Sequence, residues 1–379
     1  MILVDTTFFA HTEAKNKKLT YSTSIFTADL LDAFAALGMS DKFCLIVNFN
    51  HLDFFKERFP SYKIISAHWW PVTLLYKLTK GRKTANRLIK KSGAFRRIAE
   101  KSGADALWFP YSMNETFVKT KLKTFATVHD IFRIHHGTKK EAEIFTRFIN
   151  DESVSLITIS NYTKNDIIKT TGCTKNIPVI PNSIKFDISS QTKIPELTEK
   201  KYILDLNAYV SKKNPMTLLK AYNIIKDRTH LELVFCGGYM EDSLWNEMQQ
   251  FIKDKRLSNR VKMLFRVTDE ERNWLLSNAA IFVTPSLFEG FGRTPVEAAI
   301  CGIPVISTKE TSLYEATQGL CIYVENPTDE KELADKILGL TENYPSEKTL
   351  SEIAQKLEER YKKENCAKLY LRLFCDIIG

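Results

Sequence analysis

An α/β chain with two parallel-sheet domains is predicted by three features of the sequence. Short apolar runs alternate with longer amphipathic stretches along most of its length, the pattern of strands joined by crossover helices. At 379 residues the chain is long enough to build two cores. A polar, charged connector at Asp187–Lys200, holding Pro195, divides the alternation into two halves.

In the first half the apolar runs predict strands at Ile2–Val4, Phe43–Val47, Ile64–Ser66, Ala106–Phe109, Thr124–Val128, Leu156–Ile159 and Ile177–Ile180. Helical stretches fall at Ser24–Leu37, Thr84–Ser102, Lys140–Glu152 and Asn161–Thr170, the last capped near Ser160. In the second half, strands are expected at Tyr202–Asp205, Leu231–Cys236, Val261–Leu264, Ala280–Thr284, Pro304–Ser307 and Cys321–Val324. Ser346–Gly379 carries helical periodicity through Ile353, Leu357, Tyr361, Ala367, Tyr370, Leu373 and Ile377, with a break near Lys362–Asn365. The expected division is therefore 1–190, 191–345, and a C-terminal helical segment, 346–379, packing back on the first domain.

Composition excludes several classes. With 44% hydrophobic and 26% charged residues the chain reads as an ordinary globular protein. No run approaches the roughly 18–20 apolar residues that span a bilayer. The first ten residues read as a strand and not as a signal peptide. Seven scattered cysteines form no Cys-x-x-Cys pair, so neither a zinc site nor a disulfide framework is indicated, and a reducing cytoplasm is expected. The net charge of +9 is concentrated: Lys77 to Lys101 holds ten basic residues, Arg82, Lys83, Lys90 and Lys91 among them, against the single acid Glu100. Trp69, Trp70, Leu74, Leu75 and Tyr76 lie just upstream. A basic stretch flanked by aromatics fits docking on anionic lipid or a polyanionic acceptor. No nucleic-acid recognition module is apparent.

The most informative stretch is Pro285-Ser-Leu-Phe-Glu-Gly-Phe-Gly-Arg-Thr-Pro-Val-Glu-Ala-Ala-Ile-Cys-Gly-Ile-Pro-Val-Ile306. It reads as a strand end, a glycine-broken loop carrying Glu289, and a short helix carrying Glu297. Thr294 is a good N-cap, Pro295 suits the first helical position, and Glu297 falls three residues after the cap. Glu297 is thus either a capping-box glutamate or an acceptor for ligand hydroxyls. Glu289 helps neither strand nor core, and Gly290 and Gly292 let the backbone approach a ligand. Carboxylates beside a helix N-terminus suit a phosphorylated sugar, which offers hydroxyls and an anion together.

These residues carry a family resemblance. The segment from Val261 to Lys336, with its Glu-x7-Glu spacing between Pro285-Ser and Gly302-Ile-Pro-Val, resembles the donor half of retaining GT-B glycosyltransferases of family GT4. Weaker echoes are Thr127-Val-His-Asp130, Ile157-Thr-Ile-Ser-Asn161, Val179-Ile-Pro-Asn-Ser183, Lys212-Lys-Asn214 and Phe235-Cys-Gly-Gly238. The resemblance implies two Rossmann-like domains facing across a cleft, acceptor-binding first and donor-binding second, with the C-terminal helix crossing between them. It implies transfer of a hexose-type sugar, with retention, from a nucleoside diphosphate donor to a glycan or lipid-linked saccharide. The setting it implies is bacterial cell-surface polysaccharide synthesis at the inner face of the cytoplasmic membrane.

By the same resemblance Lys213, with Lys212, is the diphosphate clamp. Glu289 holds donor-sugar hydroxyls, assisted by amides of Gly290, Phe291 and Gly292; Glu297 accepts from the ribose; His129 lies near the reacting centre. No Asp-x-Asp cluster accompanies the site, and metal-independent transfer without a cofactor is expected. The chain departs from the family pattern in three places. His11–Lys18 lacks the glycines common after the first strand, Asn207 stands where glycine often follows the first donor-domain strand, and Arg293 replaces an apolar residue. These departures leave the reaction class intact but weaken any choice of donor, and the missing N-terminal glycines support an alternative: a non-catalytic nucleotide-sugar-binding component of a glycan assembly complex.

Overall fold

A computed structural model describes residues 1–67, 93–111, 118–184, 188–199 and 201–378. Arg82, Lys83, Lys90 and Lys91 lie outside the described residues, as does the first half of the helix expected at Thr84–Ser102, of which Ala94–Glu100 is helical.

Twelve strands form two six-stranded sheets among the described residues. In the first, β1 (Ile2–Asp5), β2 (Phe43–Asn48), β3 (Lys63–Ala67), β4 (Ala106–Phe109), β5 (Lys123–Val128) and β6 (Val154–Thr158) are ordered β3-β2-β1-β4-β5-β6. In the second, β7 (Tyr202–Leu206), β8 (Glu232–Gly237), β9 (Val261–Phe265), β10 (Ile281–Val283), β11 (Val305–Thr308) and β12 (Ile322–Val324) are ordered β12-β11-β10-β7-β8-β9. All pairs are parallel. Read within each sheet, both orders are the 3-2-1-4-5-6 winding of dinucleotide-binding folds. Central strands are buried on both faces because helices cover both, which is why they read as unbroken apolar runs.

The strand expected at Ile177–Ile180 is reduced to one bridge, Thr158 with Val179. Pro178 supplies no N–H on the edge that faces β6, so pairing cannot extend from the bridge towards Ile177. A short helix, His11–Asn16, fills the segment without glycines and ends on Lys17 in the left-handed region (φ 51°).

The chain divides into two compact units, Met1–Ser183 with Lys362–Gly379, and Ile184–Tyr361. The C-terminal segment is therefore not one piece packed on the first domain, as expected for 346–379. The helix Glu347–Tyr361 belongs to the second unit, burying Leu350, Leu357 and Tyr361 and packing on the helix Arg293–Ile300. Lys362 takes an extended conformation (φ −52°, ψ 131°), and the helix Lys363–Leu373 then packs in the first unit on Ser22–Ala36. There Cys366, Ala367, Tyr370 and Phe374 join a core with Phe34, Phe43 and Trp108. Each half thus buries its apolar residues in its own unit.

Candidate functional site

In the second sheet the winding direction changes between β7 and β10, where open α/β sheets bind ligands beyond their carboxyl ends. The sequence signature lies in the loops leaving those two strands. After β7 the chain runs through a 3-10 turn, Ser211–Lys213, to Asn214 in the left-handed region (φ 57°) and the helix Pro215–Ile225. The turn is anchored at Ser211, whose amide and hydroxyl donate to Glu241 at 3.0 and 2.7 Å. Asn214 ties it to the second loop: its side-chain amide donates to the carbonyls of Pro285 (3.1 Å) and Pro327 (2.6 Å), and its oxygen accepts from Thr217. The Leu287 amide donates to the Lys212 carbonyl at 2.8 Å.

These bonds bring Lys213 and Glu289 together. Their side chains form an ion pair, 16% and 13% exposed, across 76 residues of sequence. The Glu289 carbonyl accepts from Ser312 at 2.9 Å, which fixes the backbone of the loop. Gly292 lies at φ 94°, and a Cβ there would fall 2.1 Å from Leu313 Cδ2, so the turn requires glycine on two counts. Phe291 turns inward, edge-on to Tyr361 at 5.3 Å, leaving its backbone as the part that lines the loop.

The helix carrying Glu297 starts earlier than expected. It spans Arg293–Ile300 with Gly292 as N-cap, so Thr294 is not the cap and Pro295 sits at the third position. Proline costs no hydrogen bond there, because the first four helical amides have no intrahelical partner. Glu297 forms no capping box; 4% exposed, it is paired with Arg272 and lies 3.6 Å from Arg293 Nε, one turn back. The helix ends as expected at Gly302 (φ 72°), with Ile303 and Gly302 amides donating to Ala298 and Ala299 carbonyls.

One residue escaped the sequence reading. Asp205, on β7, is 3% exposed in a strand otherwise apolar. The Asn207 side-chain amide donates to it at 2.5 Å and to Thr284 Oγ1 at 3.3 Å. Burial pushes its carboxyl up from 3.8 to about 7; Asn207 and Lys213 pull it down, and Glu289 adds to the rise. Its signal was present as a lone acid within Tyr202-Ile-Leu-Asp-Leu206. Nothing local marked Arg272 or Glu241, which act from other helices.

In the first unit, His129 follows β5. Its Nε2–H donates to the Pro110 carbonyl at 2.9 Å, and its ring meets Phe26 edge-on at 4.8 Å. Burial lowers its pKa, outweighing Pro110 and Asp130, so the imidazole is neutral at pH 7. Asp130 accepts from the Phe132 amide at 3.0 Å, while His135 pairs with Asp166. After β1, Glu13 is 1% exposed and accepts from the amides of Ala10, Thr20 and Tyr21 and from Ser24 Oγ.

Residues 187–357 match the family model described as glycosyl transferases group 1. The chain is 31% identical over 210 residues to the O-antigen chain mannosyltransferase RfbU of Salmonella typhimurium, covering 54% of this chain and 57% of that protein. It is 29% identical over 202 residues to the O-antigen chain mannosyltransferase B of Escherichia coli, covering 50% and 51%. The chain thus spans little more than half the length of these relatives. Among solved structures, Anabaena HepE in complex with UDP and glucose aligns with TM-score 0.69 at 15% identity, over 99% of each chain. A glycosyltransferase from Rickettsia africae aligns with TM-score 0.71 at 16% identity, over 100% of this chain and 98% of that one. At such identities the likeness shows the fold, two Rossmann-like units of the GT-B class. Residues 187–357 hold Lys213, Glu289 and the loops that join them, so the match to the glycosyl transferases group 1 model falls on the part of the chain that carries the site.

Proposed function

We propose that the protein is a retaining glycosyltransferase that moves a hexose-type sugar from a nucleoside diphosphate to a glycan or lipid-linked saccharide in bacterial cell-surface polysaccharide synthesis. The observation that carries the reading is the Lys213–Glu289 pair at the switch point of the second sheet, in loops braced by Asn214 and Gly292. When the bond from the anomeric carbon to the diphosphate oxygen breaks, its electron pair stays on the oxygen. A fixed ammonium stabilises that charge more as it grows, which is what accelerates the step. Glu289 has an acceptor for sugar hydroxyls once the lysine turns to phosphate. Gly290, Phe291 and Gly292 contribute backbone, and Lys212 a second cation. Glu297 has the ribose role, held ready by Arg272 and Arg293, and His129 belongs near the reacting carbon. Transfer without a metal ion is part of the proposal, supported by these cations and by the positive end of the helix Arg293–Ile300.

The two relatives named for O-antigen chains support the choice of acceptor class. No helix among the described residues is long and apolar enough to cross a membrane. Peripheral attachment to the cytoplasmic membrane is proposed from the basic stretch Lys77–Lys101. Glu13 favours the second reading, a nucleotide-sugar-binding component without turnover, because its carboxylate occupies backbone amides after β1 that would otherwise face a ligand.

Thermal shift with UDP, GDP, ADP and their sugars tests the donor site: a ligand at 100 times its Kd adds about 2.7 kcal/mol. Lys213→Ala and Glu289→Gln are expected to remain folded and lose transfer. Full transfer by either variant would overturn the site. Binding without turnover in the wild type, across acceptors, would select the second reading.

A further inference from the structure

The Lys213–Glu289 pair has a third charged group beside it. Asp205 ends an apolar run on β7 and is 3% exposed, so its carboxylate has exchanged water for a hydrogen bond from the neutral amide of Asn207 at 2.5 Å. That amide reaches on to Thr284 at 3.3 Å, and Thr284 meets Ser286 at 3.2 Å, so the polar contacts run from β7 to the start of the Glu289 loop. The groups acting on Asp205 are few. Lys213, from the 3-10 turn, favours its ionised form, and Glu289, from the loop after β10, opposes it. From the β8 side come Cys236, which burial pushes up to about 12, and Tyr209, which burial also raises; both stay neutral near pH 7.

We propose that Asp205 is a positioning residue of the donor site, taking up a proton when a nucleoside diphosphate binds beside Lys213 and so leaving the lysine's charge to the phosphates. The inference rests on the reading of Lys213–Glu289 as the donor site. One ammonium faces two carboxylates before binding. The diphosphate adds negative charge at that ammonium, which then compensates Asp205 less, while Glu289 continues to oppose its ionisation. A buried carboxylate in this position is neutralised by a proton from solvent at less cost than it stays charged. Glu289, closer to water at 13% side-chain exposure, is the carboxylate left to the sugar hydroxyls. No bond of the donor breaks in the step; one proton passes from water to a carboxylate oxygen.

Titration calorimetry with UDP-glucose, GDP-mannose and ADP-glucose, in buffers of different ionisation enthalpy, reads the proton directly. A diphosphate esterified at both ends carries no proton of its own that titrates near neutrality. With a carboxyl at about 7, wild type should take up about half a proton per nucleotide at pH 7, rising towards one near pH 8. Its affinity should fall up to about tenfold per pH unit above that point. Asp205→Asn, neutral at every pH, should bind with no proton exchange and with a flat affinity between pH 6.5 and 8.5. Asn207→Ala, which withdraws the amide from Asp205, should move the fall in affinity to higher pH. Binding by wild type without proton uptake overturns the proposal whether or not the variants fold, and so does uptake that persists in Asp205→Asn. Failure of all three nucleotide sugars to bind would sink the donor-site reading and this inference with it, whereas binding without uptake sinks this inference alone.

Discussion

Asp205 and Glu297 are both buried carboxylates of the second unit, and their surroundings give them opposite effects on stability. Asp205 has a raised carboxyl, so it holds its proton more tightly in the fold than in the unfolded chain. Its ionisation therefore destabilises the fold progressively as pH rises from about 4 to 7, and the whole penalty is present above that. Wild type should lose about 2–3 kcal/mol between pH 5 and pH 8 from this group alone, and urea unfolding of Asp205→Asn should show that loss removed. A variant whose stability follows the wild-type pH profile would show that Asp205 ionises freely. Glu297, by contrast, is compensated by Arg272 and Arg293. Glu297→Gln leaves two guanidinium groups facing each other and should cost about 1–3 kcal/mol in addition to any loss of nucleotide affinity. Because Arg272 is 28% exposed, the cost stays below that of a fully buried pair.

The helix Arg293–Ile300 shows how a local rule yields to its neighbours. Thr294, Pro295 and Glu297 form a sound capping pattern, yet the helix begins at Arg293. Gly292, turned by its positive φ and pressed against Leu313, sets the start, and the Arg293–Glu297 contact one turn apart supports it. Gly292→Ala would meet both the left-handed backbone and the Leu313 side chain. It should destabilise the second unit by about 1–3 kcal/mol and weaken nucleotide binding by shifting Glu289. Undiminished affinity with normal stability in that variant would show that the loop tolerates another path. The segment after β1 is a second case: lacking glycine, it forms a short helix closed on itself by Glu13.

Across the whole molecule, the C-terminal 18 residues complete the first unit although they follow the second in sequence. Tyr370 is fully buried against Trp108 (5.0 Å) and meets Thr127 through its hydroxyl at 3.2 Å. Tyr370→Ala should cost about 3–5 kcal/mol, as for a large buried aromatic, and denaturant unfolding should show the loss in the transition of the first unit. Loss confined to the second unit would contradict the assignment of that helix. The proposed membrane docking is also a property of the whole chain. Charge reversal at Arg82, Lys83, Lys90 and Lys91 should release the protein from anionic vesicles and weaken its salt dependence, and unchanged vesicle binding would remove the claim.

The strand runs, the two-sheet class and the Glu289 loop were readable in the sequence, because each depends on local periodicity and on residues within one turn or loop. Parallel strands buried on both faces announce themselves as apolar runs, and Gly290 and Gly292 mark a loop that must bend sharply. What could not be read were the partners supplied from far along the chain. Lys213 meets Glu289 across 76 residues, Arg272 reaches Glu297 from another helix, and Asp205 acquires its raised carboxyl from burial beneath both loops. Charge compensation and desolvation depend on distances that exist only once the sheet is wound. The family signature marked the Glu289 loop; the folded chain showed Glu297 held by two arginines and a third carboxylate behind Lys213.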